Sequence, residues 1–133
     1  MSKIVATVSK IINQDSLHIV EFDSHKQTLC MMSLDLNENI KVGVKVKLVV
    51  KPTHIALAKD FSGEVSFANR VDATISTIDS GVLLSSVKLN FFDTVLESIV
   101  TLKSAQEMNL QVGDKVTAFI QASELSIGEI IDV

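Results

Sequence analysis

Two stretches of this 133-residue chain carry the same pattern, and that duplication narrows the possible folds more than any other feature. Ala73-Thr74-Ile75-Ser76-Thr77-Ile78 repeats Ala6-Thr7-Val8-Ser9-Lys10-Ile11 at an offset of 67. Farther on, Val112-Gly113-Asp114-Lys115-Val116 repeats Val42-Gly43-Val44-Lys45-Val46 at an offset of 70, so three residues are inserted between the two anchors, in the expected middle strand and helical turn. The segment Gln121 to Ile127 stands where Lys51 to Leu57 stood, so both halves end alike. A connector, Asp60 to Val65, separates them, with Gly63 as its turn signal. The expected division is residues 1–62 and residues 63–133. Units of this size lie near the lower limit for independent stability, so each is expected to bury apolar surface against the other or against further copies of the chain. A homo-oligomer, trimer or dimer, follows from that expectation.

Within a repeat the apolar residues alternate. Ile4 to Ile11, Leu17 to Phe22 and Val42 to Val50 show the period of two that marks half-buried strands, and Thr28 to Ser33 reads as a fourth strand behind a turn at Asp23 to Gln27. The chain has no Trp or Tyr, so its core must come from Val, Ile and Leu, side chains that suit a pleated sheet. Asp35-Leu36-Asn37-Glu38 and Ser104-Ala105-Gln106-Glu107 each fit a capping box, which predicts one short helical turn per repeat with Ser104 as a cap. The predicted class is all-β: two tandem five-stranded units, each with one short helical turn.

Composition removes several functions. A net charge of −4 and the lack of a dense basic cluster oppose nucleic-acid binding, which draws its affinity from many Lys and Arg residues on phosphates. No apolar run approaches the roughly 20 residues that cross a bilayer, and no leader pattern is visible, so a cytoplasmic protein without membrane contact is expected. Cys30 has no disulfide partner and sits beside Met31 and Met32, where a thiol behaves as a small hydrophobe. His18, His25 and His54 lack metal-ligand spacing and read as ordinary surface or strand residues. No nucleophile elbow, phosphate-cradling loop or carboxylate pair appears, so an enzyme is not expected. What remains is a set of small donors at the repeat ends: Lys51 and Thr53, Ser66 and Asn69, and Ser123. Such groups can surround a tetrahedral dianion, whose four oxygens only accept hydrogen bonds.

At these residues the chain resembles the molybdopterin-binding-protein-like family, the Mop or TOBE domains of molybdate-binding proteins. Val100 to Ser123 follows the family's strand, capped turn, Leu-x-x-Gly and Ile-Lys-Ala-Ser pattern, and Ser66-Phe67-Ala68-Asn69-Arg70 is similar to its opening motif. Val50-Lys51-Pro52-Thr53-His54 keeps the terminal motif in the first repeat. Two cations of the family pattern are replaced, by Ala68 and by Gln121. The resemblance implies two OB-like barrels with a strand or terminus exchanged between neighbours. It also implies reversible binding, storage or buffering of molybdate or tungstate at repeat or subunit interfaces. Lys51 would supply the charge, Thr53, Ser66, Asn69 and Ser123 neutral side-chain donors, and Phe67 and Ala68 backbone donors. The rival expectation is a degenerate assembly module that has lost the anion site.

Overall fold

The computed structural model describes residues 1–132. Strands β1 (Ser2–Gln14), β2 (Leu17–Ser24), β3 (Gln27–Ser33) and β4 (Lys45–Val50) lead to a 3-10 turn at Pro52–His54 and the short β5 (Ala56–Ala58). After a connector come β6 (Asn69–Ser80), β7 (Leu84–Phe91), β8 (Thr94–Thr101), helix α1 (Leu102–Glu107) and β9 (Lys115–Ile120). A second 3-10 turn at Ala122–Glu124 and β10 (Ser126–Asp132) follow. All four strands read from the first half are present, and so is the duplication.

Strand order shows how the halves are joined. One sheet runs β10-β4-β1-β2-β3 and the other β5-β9-β6-β7-β8, so each half donates its last strand to the sheet of the other. The donations are equivalent: Ala56 pairs with Phe119 and Ser126 with Val49, both pairs offset by 70. Each central strand carries the same irregularity, a register shift between Val8 and Lys10 in β1 and between Ile75 and Thr77 in β6. The bulge is held by the glycine anchors of the repeat. Gly43 donates its N–H to Val8 O at 2.8 Å and Gly113 donates to Ile75 O at 2.8 Å, with φ of +96° and +94°, a conformation that only glycine adopts without strain.

Burial follows the alternation, with Ile4, Ala6 and Val8 inside and Lys3 and Val5 outside on β1. Val20, Phe22, Leu29, Val46 and Leu48 from the first half and Val71, Ile75, Val87, Leu89, Leu96 and Val116 from the second join one continuous core. Ile55 and Leu125, one residue beyond each 3-10 turn, are both 2% exposed and belong to it. The exchange therefore carries each half's terminal apolar residues into a shared interior.

Two helical expectations need correction. Asp35 to Glu38 does not open a helix; the Asn37 side chain accepts from Asn39 N at 2.8 Å and its carbonyl from Ile40 N at 3.0 Å, making a tight turn. Asparagine side chains compete with the backbone for such bonds, and the stretch before Gly43 is too short to recover the cost of a helical nucleus. The helical turn of the first half lies instead at Pro52–His54. In the second half α1 forms, yet its cap is Thr101, whose Oγ1 accepts from Ser104 N at 3.1 Å. Ser104 sits inside the first turn. The pairs Ser24–Gln27 and Phe91–Thr94 keep the offset of 67 through the β2–β3 and β7–β8 hairpins, so the three inserted residues fall after β8 and supply α1.

Lys59, just past β5, closes the far end of α1. Its Nζ donates to Met108 O at 3.3 Å and Asn109 O at 2.9 Å and lies 3.0 Å from Asp114 Oδ2. The Lys59 hydrogen bond, aided by the Gln111 backbone N–H, holds the Asp114 carboxyl below its usual value. A depressed carboxylate adds stability that is present above its unfolded value and is lost as pH falls through the folded one. Lys59→Met should therefore lower the melting temperature at pH 7, and the gap to the parent should shrink below about pH 4, where carboxylates protonate. Thermal unfolding of both proteins across that range checks it.

The exchange has a sharper test at Gly128. A Cβ added there would lie 2.6 Å from Val49 Cγ1, a β-branched side chain that cannot swing aside. Overpacking of this kind costs roughly 1–3 kcal/mol. Gly128→Ala should show that loss in urea unfolding, because it pushes β10 off β4.

Candidate functional site

The two 3-10 turns occupy equivalent places and face each other. Each follows the end of a strand beside the central strand of its sheet, because Ser2 pairs with Val50 and Asn69 with Ile120. Extended backbone at Lys51 and Gln121 then turns the chain toward the other barrel. Proline at the first position of the Pro52–His54 turn suits its fixed φ. Across the gap His54 Nδ1 meets Glu124 Oε2 at 2.8 Å, and these two residues are themselves equivalent at the offset of 70. Between the turns lies a shallow pocket of about 180 Å³ lined by Met1, Val49, Val50, Lys51, His54, Ser123, Glu124 and Ser126.

Lys51 and Ser123, expected at the site from different repeats, thus share one pocket. Both are exposed. Thr53 sits exposed on the same turn as Lys51 but does not line the pocket. Ser66, Phe67 and Ala68 lead into β6 and lie outside the pocket too, with the Phe67 ring centroid 5.4 Å from that of Phe119. Of the residues expected at one anion, only Lys51 and Ser123 are therefore brought together in this pocket within a single chain.

Asn69 is placed differently from the other candidates. It is 0% exposed, and its side chain is fully occupied by backbone: Oδ1 accepts from Cys30 N at 2.7 Å, while Nδ2 donates to Cys30 O at 2.9 Å and Ile120 O at 3.1 Å. This amide bridges β3 of one barrel to β6 and β9 of the other. At the equivalent place Ser2 Oγ accepts from Glu97 N at 2.8 Å, and Glu97 corresponds to Cys30 at the offset of 67. Ser98 Oγ adds a further cross-link, donating to Ile55 O at 2.6 Å. The Cys30 thiol is half-buried, and burial, with Glu21 nearby, pushes its pKa up.

A second contact joins the hairpin tips. His25 of the β2–β3 turn stacks on Phe92 of the β7–β8 turn, centroids 4.5 Å apart and 3° from parallel, and its Nε2 lies 3.2 Å from Asp93 Oδ1. Both His25 and Phe92 take positive φ. Neither His25 nor His54 is therefore an ordinary surface residue. The signal that would have found His54 is the repeat itself, which sets it opposite Glu124.

Truncating Asn69 strands three backbone groups, each costing about 1–3 kcal/mol when buried without a partner. Asn69→Ala should therefore lower stability by at least about 2 kcal/mol, whereas Ser66→Ala, an exposed change, should stay within about 0.5 kcal/mol. Chemical denaturation of the two variants compares them directly.

Comparison with known proteins supplies the context for this pocket. Residues 66–127 match the model of the TOBE domain. Over almost its whole length the chain is similar to a crystal structure of the cytoplasmic molybdate-binding protein ModG with molybdate bound. The two are 26% identical, the match covers 96% of this chain and 94% of that one, and the TM-score is 0.88. No curated protein matches the chain in sequence.

Proposed function

Taking the chain as a Mop/TOBE-family protein with a TOBE domain at residues 66–127, we propose that it binds molybdate reversibly and serves as a cytoplasmic store or buffer of that anion. The observation that carries this reading is the fold-wide likeness to molybdate-bound ModG. The pocket between the 3-10 turns gives the reading a place. A tetrahedral oxyanion there meets the Lys51 ammonium from one repeat and the Ser123 hydroxyl from the other, both exposed and free to turn toward it. Binding uses hydrogen bonds to oxygens and changes no covalent bond, so no catalytic group is called for. Tungstate, alike in charge and shape, is bound by the same groups.

Ser66, with the backbone N–H groups of Phe67 and Ala68, completes an anion shell in this reading when a second copy of the chain brings its own Ser66–Ala68 segment to the pocket. That arrangement accounts for the separation of these residues from Lys51 within one chain, and it makes a homo-oligomer, dimer or trimer, the binding form. Thr53, beside Lys51 on the same turn, faces the same neighbour. Asn69 holds this segment in place through its backbone bonds and is not itself a donor to the anion. No part is assigned to nucleic acid or membrane.

Lys51 is the one lysine or arginine in the pocket. A charge-assisted hydrogen bond contributes roughly 1.5–3 kcal/mol against about 1 for a neutral one. Lys51→Ala should accordingly weaken molybdate binding about tenfold or more and Ser123→Ala only several-fold, with Ser66→Ala between them. Calorimetric titration with molybdate, tungstate, sulfate and phosphate decides it; a parent protein that binds none of the four would leave the assembly-module reading in its place.

A further inference from the structure

We infer that His54, held by Glu124, makes anion binding proton-linked: the oxyanion is taken up together with a proton on His54. The inference rests on the pocket proposed above. An ionised carboxylate only accepts hydrogen bonds, so the 2.8 Å contact to Glu124 Oε2 requires that His54 Nδ1 carry a hydrogen. In the neutral ring Nε2 is then a bare lone pair, and among the described residues it has no partner.

A fully ionised tetrahedral anion has only acceptor oxygens. Placed in a pocket of about 180 Å³ lined by His54, it meets either that lone pair, which repels it, or an N–H, which binds it. With Nδ1 committed to Glu124, the ring presents an N–H at Nε2 only by taking a proton. Glu124 has two effects on that step. Its charge opposes a bare dianion entering the pocket, and the same charge stabilises the imidazolium that forms. The neutral and charged states of the ring thus distinguish the empty site from the filled one.

The charged groups around His54 fit this division. Lys51 lies at the start of its own turn, Met1 with its terminal amino group lines the same pocket, and Glu124 on the facing turn is the only acidic residue among the described residues that line it. Glu97, on the β8 strand packed against the His54 turn, is held by the Ser86 hydroxyl. β3, packed against the Glu124 turn, has no charged residue. His54 and Glu124 side chains are 35% and 39% exposed, so a proton reaches the ring from solvent without any opening of the fold.

Calorimetry of the parent protein with molybdate at pH 7.5, in Tris and in HEPES, reads the proton directly, because the two buffers absorb different amounts of heat when they give one up. The expected result is net proton uptake approaching one per anion. Affinity should rise as pH falls from 8 toward 6.5, by up to about tenfold per unit, within the range where histidine titrates. His54→Gln should bind with no buffer dependence and a flat pH profile, and Glu124→Gln should take up less proton than the parent. Melting curves establish that both variants fold; should one fail, the other and the parent's own buffer dependence still decide. Molybdate binding by the parent without proton uptake, or a His54→Gln profile that keeps the parent's slope, overturns the inference and leaves the proposed function standing. No binding of molybdate by the parent overturns both.

Discussion

The reciprocal exchange of β5 and β10 is the constraint on which the rest of this structure depends. Each sheet lacks its fifth strand until the other half supplies it, so neither barrel is complete by itself. Buried backbone N–H and C=O groups must find partners, and on one side of β4 and β9 those partners come from the opposite half. The same crossing sets the two 3-10 turns face to face, which makes the pocket an outcome of the exchange and not a separate invention. Ile55 and Leu125 enter the shared core only because the chain crosses over at these points.

Polar cross-links then hold the crossing in register. Asn69 and Ser2 stand at equivalent places and both bond to backbone of the opposite barrel, but with different reach: the carboxamide makes two bonds across and a third within its own barrel, where the hydroxyl makes one across. The halves have thus diverged in how firmly they are tied. Divergence is also clear after β8, where three extra residues make α1 and allow Lys59 to anchor the connector on its last carbonyls.

Much of the fold was legible because alternation and repetition are local properties. Val and Ile at every second position located the strands, and Gly43 and Gly113 marked equivalent turns through their positive φ. Helix α1 was also readable, although its cap was not. Thr101 and Ser104 are both good capping residues, and only the end of β8 decides between them. The site was harder to read. Lys51 and Ser123 could be named as candidates from the ends of the two repeats, but Asn69 has the same identity whether it faces a ligand or a carbonyl; its burial is a tertiary fact. His54 and Glu124 are far apart in sequence and lack any motif, so their contact emerges only once two equivalent turns are known to face each other.

The crossing also alters the kinetics of assembly. If the two halves were separate polypeptides, strand exchange would be a bimolecular reaction, and the population of complete barrels would depend on protein concentration. The short connector from Lys59 to Ala68 makes it intramolecular, at the millimolar effective concentration typical of short flexible linkers. Barrel completion is then independent of dilution, and only encounters between whole chains still respond to how much protein is present.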